Sequence, residues 1–238
     1  MIGGTDMAAI DFYWARGTGE RFGDPSTMYA NVAKLLDKSV FDIREVPCIA
    51  EIRPIGARTL NESLESFILW MEKSKIPNRP WMGGGFSLGA LMMGNYVRDL
   101  HLSLCKGIGL LADPARHPSQ YYGPRKPDGY GIAGPRKIGY QGGYPVWSMT
   151  EPGDAISELP GDNGLRNLTP FVGLPKQPRP AREADVLYTM QWFGNYFPGN
   201  RHVNYAVENM PGTRETYTRA LAREINFEGR RLVKAGLV

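Results

Sequence analysis

The sequence predicts an α/β fold: a central parallel sheet of about five strands flanked by helices on both faces, with a helical cap inserted late in the chain. Three observations carry that expectation. Short apolar runs of strand length recur along the 238 residues, and stretches with helical apolar periodicity separate them. Gly and Pro, at 29 and 19 residues, are frequent enough to promise long ordered loops and to argue against a helical bundle.

Residues 8–14 (AAIDFYW) read as a buried first strand ending in the glycine-containing turn ARGTGE. Pro25-Ser26 open a helix whose Met28, Val32, Leu35 and Leu36 fall on one stripe. Residues 40–50 (VFDIREVPCIA) form a second strand, which Pro47 places at an edge. Thr59 and Glu62 make a capping box for a longer helix with Leu60, Leu64, Phe67, Ile68 and Met71 as its core face. After Pro77 and Pro80 a short strand enters GGGFSLG, and a helix follows over about 88–104. Residues 107–112 (GIGLLA) and 145–149 (PVWSM) supply the last two strands, and the segment from Thr213 onwards is amphipathic and helical.

Two stretches break the rhythm. Residues 118–145 hold seven Gly, five Pro and five Tyr, a long loop that the tyrosines can anchor. Residues 155–200 begin with loop signals and LPKQPRP and turn helical around 183–194. The expected organisation is a core of residues 1–154 and 201–238 with 155–200 as a cap or linker insertion.

Composition excludes several classes. No apolar run approaches the ~18 residues of a transmembrane helix, and MIGGTDMAAIDFYW lacks the basic start and apolar stretch of a signal peptide. A net charge of +4 is too weak to imply nucleic acid. Cys48 and Cys105 are no disulfide framework and, with His101, His117 and His202, offer no zinc-type spacing, so no metal or cofactor is expected. Gly83, Gly85 and Gly89 miss the G-x-G-x-x-G spacing by one residue, and GTGERFGDPST lacks the GK[ST] of a phosphate loop. A monomer is expected.

The strongest chemical signal is Gly85-Phe86-Ser87-Leu88-Gly89, a G-x-S-x-G between a strand and a helix. Such a turn needs small residues on either side of the serine and lifts it to a helix N-terminus, where developing negative charge is favoured. A serine hydroxyl needs a base, and the base needs an orienting acid. The order Ser, acid, His leaves His202 as the base, since His101 lies in the helix behind the turn and His117 comes too early. For the acid, Asp154 in EPGDAIS stands two strands beyond the serine. Asp113, one strand beyond, is the main rival, and Asp162 in LPGDN reads as a turn residue. The oxyanion donors would be the N–H groups of Leu88 and Thr18, the latter in Arg16-Gly17-Thr18-Gly19-Glu20. The alternative is a glycine turn in which Arg16 and Glu20 pair with each other.

ARGTGE after a first strand, GFSLG, PGDAI and HVNY, in that order, resemble the cutinase-like branch of the α/β-hydrolases. Together with Ala112-Asp113-Pro114-Ala115-Arg116 (ADP-x-R) and the insertion at 155–200, the combination resembles the lysin B esterases of mycobacteriophages and related actinobacterial phages. The resemblance spans nearly the whole chain. It implies a serine esterase that cuts the bond between mycolic acids and arabinogalactan, with Ser87, Asp154 and His202 as nucleophile, acid and base. It also implies synthesis in the host cytoplasm and action on the outer envelope during lysis. Phe86 and Leu88 stand where the family often has Tyr and Gln, but Leu88 supplies the same backbone N–H. Two distant cysteines and no signal peptide favour the phage branch over secreted cutinases, and a first strand near residue 8 leaves no room for an N-terminal peptidoglycan-binding region.

A mycolyl-arabinogalactan or other lipid ester suits the cap. Trp192, Phe193 and Phe197 are the substrate-contact candidates, with Leu187 and Met190 beside them, although they could simply pack the cap onto the core. The loop tyrosines, next to Arg125, Lys126, Arg136 and Lys137, could instead stack on sugar rings. A general cutinase-like lipase and a catalytically inactive envelope-binding module are the competing functions.

Overall fold

Both faces of the first strand are covered and, apart from Asp11, which pairs with Arg79 at 3.0 Å, both are apolar. The computed structural model describes residues 8–74, 78–99, 104–139 and 143–238. Strand β1 (Ile10–Ala15) turns Ile10, Phe12 and Trp14 to one layer and Tyr13 and Ala15 to the other. It pairs in parallel with β2 (Phe41–Glu45) and β3 (Trp81–Phe86). Beyond β3 lie β4 (Cys105–Leu111) and β5 (Val146–Met149), giving one five-stranded parallel sheet in the order β2-β1-β3-β4-β5. Helices α1 (Met28–Ala33) and α5 (Tyr217–Lys234) pack on the Phe12 face; α2 (Leu60–Ser74) and α3 (Leu88–Asp99) pack on the Tyr13 face. Sequential crossovers on both sides of a parallel sheet put the C-terminal strand ends, where ligands bind in such folds, on one edge.

Local signals act as their chemistry requires. Thr59 and Glu62 form the capping box: the Thr59 N–H donates to Glu62 Oε2 at 2.7 Å and the Glu62 N–H to Thr59 Oγ1 at 3.3 Å. Thr27 and Thr216 cap α1 and α5. Strand β2 lies at the sheet edge, as Pro47 requires, but it is shorter than 40–50. Past Glu45 the main-chain carbonyls of Val46 and Cys48 accept from the Arg16 guanidinium at 3.2 and 2.7 Å. In α2 the buried stripe is Leu60, Ser63, Phe67 and Met71. Ile68, read as core, is 41% exposed, because it stands about 100° round the helix from Phe67. Ser63 faces the core in its place, satisfied by donating to Glu51 O at 2.6 Å.

The two irregular stretches are ordered chiefly by arginines. Tyr144 is buried and Tyr130 stacks beneath Arg166 at 3.7 Å, but Tyr121 is exposed and Tyr140 lies outside the described residues. Arg136 reaches from this loop into α3, donating to Leu91 O and Asn95 Oδ1, both at 3.0 Å, and to Asp113 Oδ2 at 2.6 Å. Buried there, it has no access to a sugar. Residues 155–200 hold a 3-10 helix at Gly164–Val172 and α4 (Val186–Tyr196), none of whose residues is buried. No helix among the described residues is long and apolar enough to cross a membrane.

Gly89 decides how closely α3 approaches β1. A Cβ there would lie 2.0 Å from Ala15 O and 2.6 Å from Arg16 O. Gly89→Ala should therefore cost at least about 2 kcal/mol, as overpacking against backbone does. Gly194→Ala, with nothing within 4 Å of the new methyl, should be neutral or stabilise by up to about 1 kcal/mol. Denaturant titration of both variants measures the contrast.

Candidate active site

Ser87 sits between β3 and α3 with φ +53°, a left-handed conformation that costs a non-glycine residue on the order of 1 kcal/mol. Its surroundings hold it there. The Ser87 N–H donates to Leu111 O at 3.0 Å, and its carbonyl accepts from Leu91 N–H at 3.0 Å. A Cβ on Gly85 would stand 2.5 Å from the Gly89 carbonyl carbon, so the sharp turn closes only with glycine at both positions.

Two loops far apart in sequence meet this serine. Asp154 follows β5 and is fully buried; His202 lies between α4 and α5. His202 Nε2 is 2.8 Å from Ser87 Oγ, and Nδ1 is 3.1 and 3.2 Å from the two Asp154 oxygens. An ionised carboxylate only accepts, so Nδ1 carries the proton and Nε2 accepts from the serine hydroxyl. The imidazole packs against Phe86 (ring centroids 5.3 Å apart, stacked) and Tyr196 (5.6 Å), which restricts its rotation.

Asp154 takes three further hydrogen bonds: Ile156 N–H on Oδ1 at 2.9 Å, and the Ser157 and Tyr205 hydroxyls on Oδ2 at 2.8 and 2.6 Å. Burial alone would raise its pKa. The His202 ring and the donors outweigh burial, and the carboxyl is held below its ordinary value. Tyr205 and Ser157 had no role in the sequence reading. The only signal for Tyr205 was its place three residues after His202 in HVNY.

The rival groups are engaged elsewhere. Asp113 binds Arg136 and accepts the Ala115 N–H at 2.9 Å; no hydrogen bond joins it to His202. His117 bonds Ser119 at the surface, Asp162 accepts from the Tyr188 hydroxyl at 3.1 Å, and His101 lies outside the described residues. Arg16 and Glu20 do not pair as a simple turn would have them. Arg16 meets Glu45 at 3.3 Å, while Glu20 accepts from Gly17 N–H at 2.8 Å and Met28 N–H at 2.6 Å. The loop is thus pinned on both sides of Thr18. Among the described residues neither the Thr18 nor the Leu88 N–H has a protein acceptor, and both residues line the cavity that holds Ser87 and His202. No group of three or more His, Cys, Asp or Glu among the described residues is placed to hold a metal.

That cavity has a volume of about 440 Å³. Phe193 lines it, but Trp192 and Phe197 do not. Trp192 packs down against the small cluster of Ala155, Leu159 and Leu165, and Phe197 stands exposed outside. The apolar wall comes instead from Ile55, Leu91, Leu165, Leu168, Val172 and Tyr196. The 3-10 segment behind three of these is too short for its periodicity to stand out in the sequence.

The five-stranded parallel sheet, the helices on both faces and the serine turn after its central strand define an α/β-hydrolase fold. Among solved structures the chain is similar to lysin B from Mycobacteriophage D29, with TM-score 0.56, 17% identity, and 92% of this chain and 99% of that one covered. It is also similar to the catalytic core domain of acetyl xylan esterase from Trichoderma reesei, with TM-score 0.50, 13% identity, and 79% and 98% covered. No family model matches the chain, and no curated protein matches it.

The two aspartates separate by experiment. Asp154→Asn should lower turnover of a short p-nitrophenyl ester by about 10³- to 10⁴-fold, the cost of a misdirected imidazole tautomer. Asp113→Asn strands the buried Arg136 and should cost about 3–5 kcal/mol of stability, with turnover per folded molecule largely kept.

Proposed function

We propose that the chain is a serine esterase acting through an acyl-enzyme on lipid esters, and that its substrate is the mycolyl ester of arabinogalactan. The observation that carries this reading is the line Ser87–His202–Asp154, joined at 2.8 and 3.1 Å and opening into an apolar cavity. His202 Nε2 takes the proton as Ser87 Oγ attacks the ester carbonyl. The Thr18 and Leu88 N–H groups receive the charge that develops on the carbonyl oxygen. The imidazolium, held by the ionised Asp154, then protonates the leaving sugar oxygen. Water enters by the same route and releases the acid.

Two observations and one general magnitude support a lipid acyl group. The cavity wall is mostly apolar; beyond Thr18, Ser87 and His202 its polar side chains are Thr169 and Tyr196. Leu168 and Phe193 both line it and are exposed at its mouth. An acyl chain gains ~0.8 kcal/mol for each CH₂ removed from water. The mycolyl assignment draws on the motif resemblance, and on a fold likeness to lysin B that extends over 92% of this chain. In that reading the protein is made in the host cytoplasm and reaches the outer envelope at lysis.

Purified protein incubated with mycolate-bearing cell wall should release free mycolic acids identifiable by mass, and Ser87→Ala should release about 10³-fold less or lower still. Hydrolysis of soluble short-chain esters with no mycolate release would restrict the function to a general cutinase-like esterase. No ester hydrolysis at all would leave an envelope-binding module.

The cap yields a second test. Phe193→Ser and Leu168→Ser should lower kcat/KM on long-chain esters by about tenfold each, the ~1.4 kcal/mol of one or two unburied CH₂ contacts. Short-chain hydrolysis should change little. A proportional loss on both substrates would mean that the cap shapes the reacting groups and does not select the lipid.

A further inference from the structure

Glu151 stands two residues past the end of β5, and its side chain is 2% exposed. Its Oε1 accepts from Arg201 Nη1 at 3.0 Å, and Arg201 is the residue before His202. Its backbone N–H donates to the Tyr205 hydroxyl at 3.0 Å, and that hydroxyl donates onward to Asp154 Oδ2. One residue thereby touches the loop of the base on both sides of His202.

Packing holds the loop through His202 and Tyr205, both against Phe86, and through Tyr205 against Tyr217 of α5, but its hydrogen-bonded ties are few. Its backbone bonds run from Arg201 N–H to Asn195 O and from Val203 N–H to Asn200 O, both at 3.0 Å, so they reach only α4 and the loop itself. Helix α4 has no buried residue and is a poor anchor. Among the described residues, the side-chain hydrogen bonds of residues 199–207 to the rest of the fold end on Ser87, Glu151, Asp154 and Ser157. Glu151 is the one of these four that grips the loop through an ion pair outside the reacting line.

We propose that Glu151 is a positioning residue: in its ionised form it holds Arg201, and through Arg201 it keeps the His202 ring in line with Ser87 and Asp154. The proposal rests on the serine-esterase reading above. It accounts for a carboxylate placed where the fold gains little from one, since Glu151 Oε2 is buried with no hydrogen-bond partner among the described residues.

The energetics set functional need against stability. Burial pushes the Glu151 carboxyl up to about 7, against the pull of Arg201; Glu208 and Asp154 add to the rise. Tyr205 and, from α5, Tyr217 are the other titratable groups facing it, and both are raised. A carboxyl whose pKa is raised on folding binds its proton more tightly in the folded state. Its ionisation therefore removes stability as pH rises from the ordinary value near 4.5 through about 7.

The test is steady-state kinetics on a short p-nitrophenyl ester at pH 8, with melting temperatures at pH 5.5 and pH 8. Glu151→Gln should lower kcat by about tenfold to 100-fold with KM nearly unchanged, the cost of a slightly misplaced reacting group. It should melt no lower than wild type at pH 8, and the wild type should lose more of its melting temperature between pH 5.5 and pH 8. Arg201→Gln should copy the kinetic loss and Arg201→Lys should restore most of it. An active wild type with unchanged kcat in Glu151→Gln, or a loss of kcat that tracks loss of folded protein, overturns the proposal alone. A wild type without ester hydrolysis and without covalent labelling at Ser87 overturns the esterase reading and the proposal together.

Discussion

The carboxylate of Asp154 is a charge with no access to water, and the end of the sheet that carries the site is arranged around it. An unpartnered carboxylate in that position would cost several kcal/mol or take up a proton. It is kept ionised by four donors: Ile156 N–H and the Ser157 hydroxyl from its own loop, and the His202 ring and Tyr205 hydroxyl from a loop 48 residues away. The same bonds that satisfy the charge fasten the chain after β5 to the chain before α5. The 3-10 segment between them can then lie over the cavity, while α4 adds only its last turn to the alignment, with Tyr196 packed on the imidazole. Without the charge the imidazole loses the acceptor that fixes its tautomer.

The rest of this edge is held by close backbone approach and by buried arginines. Ser87 and Ala112 both have φ near +53°, each at the C-terminal end of an inner strand. The chain tolerates the first because Gly85 and Gly89 let α3 press against β1 and β3. Long loops leave carbonyls that no ladder satisfies, and a guanidinium offers five donors in one plane. Arg166 donates to the carbonyls of Tyr130, Gly131, Ile132, Leu159 and Pro160, welding the loop at 118–145 to the cap segment. Burial lowers its pKa to about 10, still well above any working pH, so it remains a cation. Arg116 does the same between Gly129 O and Ser157 O.

What could be read from the sequence was what local chemistry determines. Strand and helix order, the capping box at Thr59, the edge position of the strand before Pro47 and the serine turn all follow from short windows. Ser87, Asp154 and His202 could be ordered because His202 is the one histidine that follows Asp154. The misreadings were about direction and distance. Ile68 differs from Phe67 by one helical step, which decides between core and solvent. Trp192 and Phe193 are neighbours on α4, yet one packs down and the other lines the cavity. Arg136, Arg166, Tyr205 and Glu151 act across 23 to 54 residues of sequence, and no local pattern points to such partners.

The central claim is that Ser87 is an activated hydroxyl, with His202 as its base. Intact-mass measurement after exposure to a small fluorophosphonate, with peptide mapping of the product, tests it most directly. A single adduct on Ser87 is expected, formed rapidly by the wild type and far more slowly by His202→Ala. An unmodified protein, an adduct on another residue, or a labelling rate indifferent to His202 would contradict the account.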